Sequence, residues 1–172
     1  LWGQNGSSAV AQFEAGEAAV LMGGRFQHWP YLAAADIDQA RIERDPVNGL
    51  FGLAVVADDG LLANNLGRDA VAMAIDRAAI AERLAVPQWA MRATVLPATV
   101  TRAARLPDAI YRAWIDLGRQ QRLAQARRIV ADLGGDAGAP PRLRIALPDG
   151  PGAAILFAVL RRDLAAIGVT AQ

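Results

Sequence analysis

Apolar and polar positions along the chain alternate between two kinds of segment. Residues 18–22 and 50–56 are continuous apolar runs. The first ends at Gly23-Gly24, and the second lies between Asn48-Gly49 and Asp58-Asp59-Gly60. Short apolar runs bounded by turn residues predict strands covered on both faces. Residues 39–43 and 142–147 alternate apolar and polar positions, the pattern of a strand with one exposed face. A short strand is predicted at 93–96, among Pro87, Pro97 and Pro107, and Val169 opens a last one.

Helical spacing predicts the remaining elements. Ser7 and Ser8 are placed to cap a short helix bearing Val10 and Phe13, with Gly16 as its stop. Residues 28–35 form a short helix with Pro30 in its first turn, where no N–H is required. Residues 69–84 read as one helix with apolar residues on two sides: Val71 and Ile75 on one, Met73, Ile80 and Leu84 on the other. Residues 119–133 make the clearest amphipathic helix. Its stripe is Leu123, Ala126, Ile129, Val130 and Leu133, with Arg122, Gln125, Arg128 and Asp132 outside it. Asp149-Gly150-Pro151-Gly152 turns into a final helix with the stripe Ala153, Leu156, Phe157, Leu160, Leu164 and Ile167, ended by Gly168. Strands alternating with helices in this order predict an α/β fold, a mixed sheet flanked by helices.

Length and composition narrow the possibilities. The 172 residues suit one domain able to bury a core. The apolar runs fall short of the ~20 residues that span a bilayer. Absence of cysteine excludes disulfides and thiolate catalysis, and one histidine cannot build a zinc site, so no metal or cofactor is expected. A net charge of +1 gives no steering toward nucleic acid or an anionic membrane. All 18 basic residues are arginine, so a phosphate-binding loop that ends in lysine is excluded. No Gly-x-Gly-x-x-Gly follows a strand, and no serine sits in a strand-turn-helix elbow. The chain opens on Leu1 without a signal-like segment and stops as a strand begins, which reads as one piece of a longer protein.

Candidate chemistry concentrates in one place. Gly23-Gly24-Arg25-Phe26-Gln27-His28-Trp29-Pro30 joins a predicted strand to a predicted helix, and ligands of open α/β sheets bind past the carboxyl ends of strands. Glycines allow close backbone approach, Arg25 suits a carboxylate, and Trp29 offers a stacking face. The plainer reading is a turn with a surface arginine, a packed tryptophan and a locally hydrogen-bonded His28. The helix start at 149–152 reads either as an anion site or as an ordinary end capped by Asp149. Arg127-Arg128 and Arg161-Arg162 are balanced by Asp132 and Asp163 and read as solvated faces.

Four stretches resemble one family, the bacterial extracellular solute-binding proteins of family 5, peptide-type receptors of ABC importers. Phe13-Glu14-Ala15-Gly16-Glu17-Ala18-Ala19-Val20 is similar to that family's helix-to-strand step, with Ala19 where an Asp is usual. Ala72-Met73-Ala74-Ile75-Asp76-Arg77-Ala78-Ala79-Ile80 is similar to a helix built around Ala-Ile-Asp-Arg. Here the preceding Asn64-Asn65-Leu66-Gly67-Arg68 lacks the proline that the family carries. Residues 122–134 resemble a helix that ends at glycine, and residues 143–169 a strand, turn and helix closing on Ile167-Gly168-Val169.

The resemblance implies one lobe of a two-lobed periplasmic binding protein, closing by a hinge on a small peptide-like solute. It implies a periplasmic or lipid-anchored monomer that delivers solute to ABC permease subunits, without catalysis or nucleic-acid binding. Arg25, His28 and Trp29 are the expected solute-binding residues. Two readings remain open beside it: an α/β enzyme domain acting on a small anionic substrate through Arg25 and His28, and a sensor domain that reuses a receptor lobe.

Overall fold

The computed structural model describes residues 5–44, 51–87, 90–91, 96, 98–107, 112–133 and 139–172. Helix α1 (Gly6–Glu14) is followed by a 3-10 turn at Phe26–His28 that runs directly into α2 (Trp29–Ala34). A 3-10 turn at Gly60–Ala63 leads to α3 (Asn65–Ala74), which is followed by α4 (Arg77–Arg83) and α5 (Ala98–Ala103). Helix α6 (Arg119–Leu133), strand β1 (Arg142–Leu143), helix α7 (Pro151–Ala165) and strand β2 (Thr170–Ala171) complete the order.

The central packing is α3 on α6. Ala70, Ala74 and Ala126 are fully buried, and their small side chains let the helices approach while Met73 and Val130 fill the space beside them. The same cluster takes in Leu61 from the turn before α3, and Leu164, Ile167, Val169 and Ala171 from the end of the chain. The stripe read on α6 is the packed face: Leu123, Ile129 and Leu133 lie against the cluster around buried Ala126 and Val130. On α7 the stripe is equally clear, with Leu156, Leu160 and Leu164 buried.

Strands β1 and β2 pair in parallel, Arg142 opposite Thr170 and Leu143 opposite Ala171. The Thr170 N–H donates to the Pro141 carbonyl at 2.8 Å, Gln172 N–H to Leu143 at 2.9 Å, and Ile145 N–H to Gln172 at 2.8 Å. The alternation read at 142–147 therefore belongs to a strand-helix-strand unit with α7 as its crossover. Among the described residues this two-stranded ladder is the whole sheet, so the mixed sheet expected from the sequence reduces to an α/β chain that is mainly helical.

Three predicted strands fall differently. Residues 18–22 and 51–56 have no regular secondary structure and carry no ladder, and most of their side chains lie in solvent, Val20 71%, Met22 87% and Val56 95% exposed. A continuous apolar run supplies strand propensity but no partner. Residues 39–41 coil into a 3-10 turn in which the Asp38 carboxylate accepts the Ala40 N–H at 2.9 Å. That local bond offers the backbone an alternative to a ladder. The strand expected at 93–96, and Leu50, lie outside the described residues, apart from Leu96.

The helix expected over 69–84 is two helices. Ile75 and Asp76 leave the helical region, with ψ of 121° and 88°. Asp76 caps α4 by accepting the Ala79 N–H at 3.1 Å, and its own N–H donates to the Asp163 carboxylate at 2.7 Å. The Ala74 carbonyl accepts from Arg119 at 3.4 Å. These bonds satisfy several of the backbone groups that the break frees. Two further caps differ from the sequence reading. Asn5, not Ser7 or Ser8, caps α1 by accepting the Ser8 N–H at 2.8 Å. Asn64 caps α3 by accepting from Leu66 at 2.8 Å, so the start of that helix forms without the family's proline.

Candidate functional site

The segment from Gly23 to Pro30 is shaped by two glycines and held by two more. Gly23 and Gly24 have φ of +90° and +102°, a region that side chains disfavour, and they bend the exposed run at 18–22 into the 3-10 turn. The turn then packs against the start of α7. A Cβ on Gly152 would lie 2.1 Å from the Phe26 carbonyl oxygen, and one on Gly150 would lie 2.9 Å from the Gln27 carbonyl oxygen. Only glycine allows the two backbones to come this close. Gly150, at φ +137°, is the N-cap of α7, and Asp149 makes no capping bond there. The Phe26 and Gln27 carbonyls thus crowd the helix start that was read either as an anion site or as an ordinary end.

Within this frame the three expected site residues behave differently. Arg25 is extended and exposed, and its guanidinium has no carboxylate partner among the described residues. His28 is half-buried, its ring lying over the first turn of α1, where a Cβ on Gly6 would come within 2.8 Å of the ring's Cγ. Trp29 is half-buried with one face covered: the Arg44 guanidinium carbon lies 4.2 Å from the ring centroid. That is a cation–π distance. Arg25, His28 and Trp29 share one short stretch of backbone, but only Arg25 presents its charged end freely to solvent.

Other participants were not evident in the sequence. Gln27 is buried at the seam with α7, and its Oε1 has no hydrogen-bond partner among the described residues. Phe26 packs on Phe51, centroids 4.6 Å apart, which brings the second exposed apolar run beside the turn. Arg41 lies 5.0 Å from the Phe13 ring, and the Asp36 N–H donates to Glu14 at 2.9 Å, so α1 and the 36–41 region lock around α2. The paired glycines at 150 and 152 were the available signal for the seam. No signal pointed to Arg44, which sits 15 positions from Trp29.

The charged network lies around the helix break. Asp163, with no exposed surface, accepts from Asp76 N–H, from Arg119 at 2.9 Å and from Arg162 at 2.8 Å. Arg119 also meets the Asp76 carboxylate at 3.3 Å. Asp163 was read as balancing a solvated face; it is instead the most buried charge described. Arg122, expected outside the apolar stripe of α6, is half-buried and has a buried Nε without a partner. Among the described residues no cluster of three acidic or histidine side chains could hold a metal ion. No helix among them is long and apolar enough to cross a membrane.

Residues 3–172 match the family described as Bacterial extracellular solute-binding proteins, family 5 Middle. The chain belongs to this family of solute-binding proteins. Nothing among the curated proteins or the solved structures matches it.

Proposed function

We propose that the chain is one lobe of the solute receptor of an ABC importer, working in the periplasm or from a lipid anchor outside the cell. The solute is small and peptide-like, and it is held in a cleft between this lobe and a second one. Such a receptor acts as a monomer that hands solute to permease subunits, and it binds without turning over its ligand. Family membership across almost the entire chain is the observation that supports this reading. It supports binding over the enzyme and sensor alternatives.

On this reading Arg25 faces the solute and takes its carboxylate, while His28 and Trp29 form the wall behind it. An exposed guanidinium without an ion-pair partner among the described residues, on a turn fixed by four glycines, suits that task. The experiment is calorimetry on the complete receptor with short peptides. Arg25→Ala is expected to weaken binding about tenfold, the scale of one charge-assisted hydrogen bond, with little change in unfolding temperature. Unchanged affinity in that variant removes Arg25 from the site. Saturable micromolar binding by the 172-residue chain alone removes the two-lobe cleft, because one wall cannot bury most of a ligand.

A further inference from the structure

Helix α4 closes its hydrogen bonds within itself. Its seven residues follow the break at Ile75 and Asp76 and end just before Ala85, which has a φ of +48°. The Ile75 N–H still donates to Val71 of α3. The first bonds of α4 run instead to Asp76: Ile80 N–H donates to its carbonyl at 3.1 Å and Ala79 N–H to its carboxylate. At the far end the Val86 N–H donates to the Ala81 carbonyl at 2.8 Å. Among the described residues no backbone hydrogen bond joins α4 to α3, and Arg77 reaches back to the Ala72 carbonyl only from the surface. Ala81 and Leu84 are buried, but neither belongs to the cluster that packs α3 on α6; α4 lies on α7.

The two oxygens of Asp163 divide their work at this contact. Oδ2 accepts the Asp76 N–H at 2.7 Å, while Oδ1 is held by Arg119 of α6 at 2.9 Å and Arg162 of α7 at 2.8 Å. Lifting α4 therefore releases Oδ2 alone. The charge of Asp163 stays paired through Oδ1, which avoids the penalty of a buried lone carboxylate. The second polar tie, from the Asp76 carboxylate to Arg119 at 3.3 Å, is partly solvated and so holds weakly. A helix of seven residues is too short to persist alone in water, so α4 unravels once it leaves α7. We propose that residues 76–86 are a latched strap: they undock from α7 and unfold as one unit, with Asp163 Oδ2 as the catch, while α3, α6 and α7 stay packed. Opening uncovers the part of α7 on which α4 lies.

The test is native-state hydrogen exchange of the 172-residue chain, followed residue by residue at increasing low concentrations of urea. The N–H groups of Ile80, Leu84 and Val86 are expected to exchange through one shared opening, about tenfold or more above the level of Ala74, Val130 and Leu160. That opening should depend little on urea, because a local event exposes little surface. A single urea-dependent course for all of these amides overturns the strap, as does opening of Ala74 together with Ile80. In Asp163→Asn the catch becomes a neutral hydrogen bond, and exchange at Ile80, Leu84 and Val86 should rise about tenfold. Unchanged exchange there removes Asp163 as the catch. Should that variant fail to fold, Arg119→Gln decides: it loosens the partly solvated tie to Asp76 and should speed the same three amides about two- to fivefold, and no change overturns the latch. None of these outcomes depends on the identity of the transported solute.

Discussion

The carboxylate of Asp163, in the last turn of α7, accepts the backbone N–H of Asp76 at 2.7 Å, across 87 positions of sequence. This bond lies at the point where a helix predicted to be continuous stops and restarts. It joins the family-like Ala-Ile-Asp-Arg segment to the last helix of the chain.

Asp163→Ala is therefore expected to destabilise the fold by about 1–3 kcal/mol, the range for leaving a buried donor without its acceptor. The loss leaves a backbone donor and two arginines without their acceptor. Asp163→Asn retains an oxygen for the Asp76 N–H but loses the charge, so it should fall between wild type and the alanine variant. Arg119→Gln should cost less than either, since Arg162 still reaches Asp163 and Arg119 is partly solvated. Urea unfolding of the four proteins checks the order. A cost below about 1 kcal/mol for Asp163→Ala would show that the break is not held by this residue.

Gly152→Ala probes the seam between the Arg25 turn and α7. A methyl group 2.1 Å from the Phe26 carbonyl oxygen cannot be accommodated without moving backbone. Overpacking of this kind costs about 1–3 kcal/mol. Hydrogen exchange should accelerate at residues 26–29 more than at residues 156–164. Uniform acceleration over both regions would refute a local role for the seam.

Much of the packing was legible because it rests on local periodicity. The stripes of α6 and α7 reappear as the packed faces, with Ala126, Val130, Leu156, Leu160 and Leu164 buried and Leu123, Ile129, Leu133 and Phe157 partly buried against the cluster. The end of the chain alternates as a strand should, and it finds its ladder partner within 30 positions. What failed depends on partners far away. Residues 18–22 and 51–56 have the composition of covered strands, but composition cannot say what covers them. The break at Ile75 was hidden because apolar spacing continues across it, and the buried acceptor that permits it comes from Asp163. At the site, glycine doublets marked the turns, while the Arg44–Trp29 contact is long-range and leaves no periodic trace.

The two exposed apolar runs give another expectation. Val20, Met22 and Val56 project large apolar side chains into solvent from segments without regular secondary structure, a combination that promotes association. The 172-residue chain should bind a hydrophobic dye and associate at high concentration. The triple variant Val20→Ser, Met22→Ser, Val56→Ser should bind less dye and sediment more uniformly, with each change costing within about 0.5 kcal/mol. Equal dye binding by both chains would show that these residues are covered in solution.

The ladder between residues 142–143 and 170–171 has a kinetic consequence. Its two halves are separated by a single helix, so the loop that must close is short, and the unit includes many of the most deeply buried side chains. Such a segment can form early and template the docking of α3 and α6, whereas residues 5–44 join chiefly through the Phe26–Gln27 seam and α2. Protection against amide exchange should then rise toward the C-terminal end, and the first third of the chain should open as one unit while the last third stays closed. A chain built this way can let the turn at residues 23–30 breathe without loosening the core that supports it.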